Sequence, residues 1–142
     1  MPAARYMLDT NVLVHAMRGT DVALIARMEA CLAGELVLSA ITLGELEHGW
    51  RMGHGRREAA EPFLAMVPVL AFDATAAAGF GAVMAGLPKP KRRTYDCQIA
   101  GHALSLGLVV VTSDAKGFAD VDGLAVEDWT RNAARCVESP TI

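Results

Sequence analysis

The sequence predicts an α/β fold, a central parallel sheet of four to five strands flanked by helices on both faces. Three observations predict it. Short apolar runs of strand length recur along the chain, the strongest being Leu108-Val109-Val110-Val111-Thr112 with its three consecutive valines. Between them lie longer stretches with helix caps, helical apolar spacing and glycine stops. Strands separated by helices need crossover connections, which make the sheet parallel and cover both of its faces.

Taken in order, residues 6–9 read as a first strand and residues 10–17 as a helix that Gly19 ends. Thr20 or Asp21 caps a second helix, which runs to about residue 33 and stops at Gly34. Residues 36–39 form a buried strand. A helix follows over about 40–52, interrupted by Gly53 and Gly55, and another spans about 56–66, where Pro62 either kinks it or starts it afresh. Pro68 precludes further helix, and residues 69–72 read as a strand. Asp73 caps an alanine-rich helix up to about residue 85, and a loop with two prolines covers 86–90. The last helix, about 95–106, closes at Gly107 before the valine strand at 108–112; a short strand at 124–126 ends the pattern.

At 142 residues, 53% hydrophobic and 20% charged, the chain has the length of one domain and the composition of a packed core, which excludes intrinsic disorder. No internal repeat or dividing linker is present. No apolar run approaches the roughly 18 residues of a membrane span, and the start reaches Asp9 too soon for a signal peptide. Cys31, Cys97 and Cys136 are odd in number and lack CxxC spacing, which speaks against a disulfide framework or zinc site and for reduced thiols in a cytoplasm. A net charge of −3 means that any polynucleotide partner is held by local patches rather than overall basicity.

Ligands of open parallel sheets bind beyond the carboxyl ends of the strands. Asp9, in Leu8-Asp9-Thr10-Asn11, and Asp114, in Val111-Thr112-Ser113-Asp114, would emerge there, each beside hydroxyl or amide neighbours that orient it. Oxygen ligands of this kind suit a hard divalent cation, which also relieves the repulsion among crowded carboxylates. Either aspartate taken singly is more simply read as a helix cap, and Asp73, between Phe72 and Ala74, is read as nothing more. Glu45 lies off the apolar stripe of Leu43, Leu46 and Trp50, so spacing alone leaves it solvated. Asp96 begins its helix, where the dipole favours a carboxylate whatever its role. Periodicity does not decide these two.

The order of the segments is more specific. Leu8-Asp9-Thr10-Asn11-Val12, Thr42-Leu43-Gly44-Glu45-Leu46, Asp96-Cys97-Gln98-Ile99-Ala100 and Gly107 through Asp114, then Phe118, Gly123-Leu124 and Glu127-Asp128-Trp129, resemble the PIN domain over about residues 6–129. Within that superfamily the chain looks like a VapC-type toxin of a bacterial type II toxin–antitoxin pair. The resemblance implies a PIN domain over 2–132, a C-terminal tail over 133–142, and an endoribonuclease in which Asp9, Glu45, Asp96 and Asp114 bind one or two Mg²⁺ or Mn²⁺ ions. These activate a water for attack on a phosphodiester of RNA. Thr112 matches a supporting Ser or Thr, and Asn11 the polar residue that braces the first Asp. A cognate VapB-like antitoxin, a homodimer, a cytoplasmic setting and no membrane association are further implications. Two departures stand out: Gly101, where a second Ala is frequent, at a cost of about 1 kcal/mol in a helix interior, and a short basic loop.

That loop, Lys89-Pro90-Lys91-Arg92-Arg93, either grips RNA phosphates through Lys89, Lys91, Arg92 and Arg93 or is simply solvated. Arg51, Arg56 and Arg57 around a Gly-His-Gly turn would extend such a patch, though a solvated face is the simpler account. His102 reads as a core histidine. Competing readings are a catalytically silent PIN-fold binding module, a phosphotransfer receiver and a DNA nuclease of the 5′-nuclease kind. All four acids are present, which disfavours the first. Asp9 has no acidic neighbour, which disfavours the second, and the chain is too short for the accessory arch of the third.

Overall fold

The computed structural model describes residues 2–88 and 94–131. The basic loop 89–93, Cys136 and the expected tail 133–142 lie outside the described residues. The chain runs β1 (Tyr6–Leu8), α1 (Thr10–Met17), α2 (Val22–Glu29), β2 (Leu36–Ser39), α3 (Ala40–Arg51), α4 (Arg57–Met66), β3 (Val69–Leu70), α5 (Ala74–Gly86), α6 (Thr94–Leu106), β4 (Val109–Val111), a single 3-10 turn (Ala115–Phe118) and β5 (Val126–Glu127).

Side-chain caps explain where the helices begin. Asp9 accepts from the Val12 N–H at 2.8 Å, Asp21 from Leu24 at 3.0 Å, Ser39 from Ile41 at 3.1 Å and Asp73 from Ala76 at 2.9 Å. Asp21, not Thr20, is thus the cap of α2. That helix stops at Glu29, short of the expected residue 33, because the Glu35 carboxylate takes the Leu32 N–H at 2.7 Å and folds the next residues into a turn. Pro62 sits inside α4 without ending it; the carbonyl that loses its N–H partner is that of Glu58, an exposed residue open to solvent. The last strand falls at Val126–Glu127 rather than 124–126, since Gly123 at φ 77° closes a turn that still occupies Leu124.

The strands pair in the order β3-β2-β1-β4-β5, every pair parallel. Alternate strand residues feed two cores. Tyr6, Leu8, Leu36, Leu38 and Val111 pack with α1, α2, Leu46 of α3 and Trp129 on one face. Met7, Val37 and Val110 pack with α5 and α6 through Val83, Ile99, Ala100 and Ala103 on the other. The two helices of this second layer touch backbone to backbone: a Cβ on Gly79 would overlap the Gly101 carbonyl, and one on Gly101 the Phe80 backbone. Gly101 is therefore demanded by helix packing, and its propensity cost is secondary.

The chain moves from β1 outward through β2 and β3, then crosses back to add β4 and β5 on the opposite side of β1. The topological switch point lies between β1 and β4, and their carboxyl ends open the crevice where open α/β sheets bind ligands.

Candidate active site

Asp9 stands at that switch point. It follows β1, its N–H donates to Val111 O at 2.9 Å across to β4, and its side chain is only 2% exposed. The carboxylate accepts two hydrogen bonds, one from Val12 N–H and one, at 2.5 Å, from the Thr112 hydroxyl just beyond β4. Thr112 oxygen in turn accepts the Asp114 N–H at 3.0 Å. Asp9, Thr112 and Asp114 thus form one connected unit across the two central strands. Asp114 itself is exposed, and its carboxylate caps the 3-10 turn through Gly117 N–H at 3.3 Å.

Two further acids arrive from the flanking helices. Glu45, half-buried on the second turn of α3, accepts a 2.7 Å hydrogen bond from the Thr10 hydroxyl of α1. Asp96 is half-buried in the first turn of α6. Burial pushes the Asp9 carboxyl up to about 6; the Thr112 and Val12 donors oppose this, and the charges of Asp96 and Glu45 add to it. Glu45 is raised as well, by burial first and by Asp96, against the pull of Thr10. Asp9, Glu45 and Asp96 therefore feel one another's charge. A cation placed among these carboxylates offsets their repulsion and favours the anionic form of each.

The donor set is all oxygen and suits Mg²⁺ or Mn²⁺, which commonly take one or two carboxylates and leave the remaining positions to water and phosphate. Among the described residues, no group of three or more His, Cys, Asp or Glu side chains closes on one point as a ready-made cage. A site completed by waters and substrate oxygens needs none.

Some expected roles shift between neighbours. Asn11 is exposed, and the bracing of Asp9 comes instead from Val12 N–H and Thr112. Thr10 orients Glu45 rather than its neighbour Asp9, with the Thr42 hydroxyl 3.4 Å away. Thr42 is fully buried, so the inward face of α3 centres on Thr42 and Leu46 and draws Glu45 to its edge. The stripe drawn through Leu43, Leu46 and Trp50 counted only apolar side chains and so missed it. His102 is the core histidine expected: Nδ1 lies 2.8 Å from Ser39 Oγ, and burial holds its pKa down despite the nearby Asp73. Lys89, Lys91, Arg92 and Arg93 fall outside the described residues.

Residues 6–124 match the family model of the PIN domain. The chain belongs to the PIN domain family. Among the relatives of this PIN domain is the tRNA(fMet)-specific endonuclease VapC of Shigella flexneri, 34% identical over 131 residues, which span 89% of this chain and 98% of the relative. The ribonuclease VapC2 of Haemophilus influenzae is 32% identical over 130 residues, 88% of this chain and 98% of its own. Among solved structures, the DNA-bound VapBC of Salmonella typhimurium superposes with a TM-score of 0.80 at 32% identity, over 89% of this chain and 98% of the other. The VapBC2 of Rickettsia felis bound to a promoter DNA fragment gives 0.79 at 26%, over 87% and 98%. This PIN domain therefore sits among the VapC proteins at nearly full length.

Proposed function

We propose that this PIN domain is a divalent-metal-dependent endoribonuclease, a VapC-type toxin that cuts cellular RNA in the cytoplasm and is restrained by a cognate VapB-like antitoxin. The toxin and ribonuclease assignments rest on the VapC relatives. The metal requirement rests on one observation: a buried Asp9 at the switch point, raised to about 6 and coupled by charge to Glu45 and Asp96. No helix among the described residues is long and apolar enough to cross a membrane. Homodimerisation, and an assembly with antitoxin, belong to the same proposal.

Asp9, Glu45, Asp96 and Asp114 would hold one or two Mg²⁺ or Mn²⁺ ions. When bound, such an ion lowers the pKa of a water and stabilises charge developing on phosphate and leaving oxygen. The chain's own residues do the positioning. Thr112 fixes the Asp9 carboxylate by donation and the Asp114 backbone by acceptance, and Thr10 fixes Glu45. The buried wall around Asp9 keeps bulk water from competing for its oxygens. Lys89, Lys91, Arg92 and Arg93 supply phosphate contacts beside Asp96 in this proposal.

The test is Asp9→Asn in the purified chain. We expect cleavage of labelled RNA to fall by at least a thousandfold, with the circular dichroism of the native fold kept. EDTA should silence the wild type and added Mg²⁺ or Mn²⁺ restore it. Full activity in the variant, or in EDTA, would remove the metal mechanism.

A further inference from the structure

Arg56, which follows the Gly53-His54-Gly55 turn, has no part in the acidic site, yet it lines a cavity that Glu45 also lines. A cavity of about 480 Å³ opens beside Glu45, in the size range of small-ligand pockets. Thr10 and Glu45 are among its lining residues, so it reaches one of the carboxylates of the acidic site. Its floor is apolar: Val14 of α1, Leu46 and Trp50 of α3. Two cations, Arg18 just past α1 and Arg56 before α4, lie among its exposed lining, together with His54.

The rim is shaped by the backbone. Gly53 and Gly55 take φ values of 83° and 77°, which let the chain reverse tightly after α3, and His54 N–H donates to Gly49 O at 2.7 Å. The turn is thereby fixed against α3, with Arg56 at the cavity mouth. Arg57 next to it is committed elsewhere: it pairs with both oxygens of Glu47 at 2.6 and 2.5 Å and lies 4.7 Å above the Trp50 ring. Arg18 and Arg56 make no ion pair among the described residues. Two uncommitted guanidinium groups around an apolar floor call for a ligand with an apolar body and an anionic edge.

We propose that this cavity is a nucleotide subsite for single-stranded RNA, seating the base that adjoins the scissile phosphate while Arg18 and Arg56 hold the neighbouring backbone phosphate. The inference rests on the ribonuclease reading and names how that site takes its substrate. A base enters such a recess only when unstacked and unpaired, so the subsite selects loops, bulges and ends over duplex RNA. An acidic peptide would meet the same cations, but it has no phosphate to continue towards the carboxylates.

The test measures anisotropy of a 5′-labelled, mixed-sequence, single-stranded RNA with the full chain in EDTA, across a range of KCl, beside cleavage kinetics in Mg²⁺. Two variants are compared with wild type. Arg18→Ala/Arg56→Ala removes the rim charges from the surface. Ala59→Trp fills the cavity from an exposed position on α4. We expect the double variant to bind about tenfold or more weakly, with a salt slope shallower by roughly 1.4, the loss of two phosphate contacts on a single strand. We expect Ala59→Trp to raise KM about tenfold with kcat within twofold, since it blocks binding without touching the carboxylates. Unchanged binding and KM in both variants overturn the subsite. So does wild-type RNA behaviour with loss of inhibition by a co-purified antitoxin, which would assign the cavity to a protein tail. A wild type that cuts RNA while the variants match it defeats this inference alone. One that neither binds nor cuts RNA defeats the ribonuclease reading and the subsite together. Binding without cleavage still leaves the EDTA titrations to decide.

Discussion

Asp9 is a carboxylate whose burial works against its own charge. Its pKa rises from 3.8 to about 6 on folding without metal, so the folded state binds the proton more tightly than the unfolded one. The stabilisation from that proton is complete below the unfolded value of 3.8 and is lost as pH climbs through about 6. The rise from 3.8 to about 6 corresponds to about 2–3 kcal/mol. In EDTA at pH 8 we expect Asp9→Asn to be more stable than wild type by about 2 kcal/mol in urea unfolding, with the gap closing by pH 4. Protons and metal compete for the same oxygens, so Mn²⁺ affinity by calorimetry should weaken by up to about tenfold per pH unit below 6. A pH-independent affinity would contradict the burial of Asp9. Thr10 supplies a second check: Thr10→Val should cost about 10–100-fold in metal affinity or cleavage, while Thr10→Ser stays near wild type. The placement of Asp9 and Asp114 beyond strand ends was legible from the alternation of strands and helices. That of Glu45 was not, because a buried hydroxyl, Thr42, belongs to the inward face of α3 and apolar spacing does not count it.

At the scale of elements, caps and glycines made most helix starts and stops readable, while ends set by distant or side-chain contacts were not. The end of α2 depends on Glu35 reaching back to Leu32, and the position of β5 depends on which residues find Val110 and Val111. Neither is encoded in local propensity. Gly101 is the sharper case, since its fault as a helix former hides its fitness for packing. Gly101→Ala gains about 1 kcal/mol of helix propensity but drives a methyl into the Phe80 backbone of α5, where overpacking costs typically 1–3 kcal/mol or more. Because the obstacle is backbone rather than a flexible side chain, we expect a net loss and a lower Tm. A Tm above wild type would show that α5 can step aside. Gly79→Ala meets the Gly101 carbonyl and should behave alike.

At the scale of the whole molecule, a few side chains join segments far apart in sequence. Asp21 caps α2, lies 2.9 Å from His15 Nε2 and accepts the Arg131 N–H with both oxygens at 3.1 and 3.0 Å. Burial would raise its pKa, yet the Arg131 and Leu24 donors and His15 hold it below the usual range, so its contribution is present above the unfolded carboxylate value and lost as pH falls through the folded one. Asp21→Ala should cost about 1–2 kcal/mol at pH 7, as a lost cap does, and should raise amide exchange at Arg131. Protection at Arg131 equal to wild type would mean the tie is held elsewhere. The parallel topology itself was legible throughout, since alternation of strands and helices leaves little choice.

The bond from Thr112 to Asp9 spans 103 residues. A ribosome has therefore made most of the protein before Asp9 gains that donor or the β4 backbone beside it. Any product that stops short of residue 112 lacks that donor. Assembly of the acidic site thus waits on the far end of the chain, and such a product has neither the hydroxyl that holds Asp9 nor the Asp114 carboxylate.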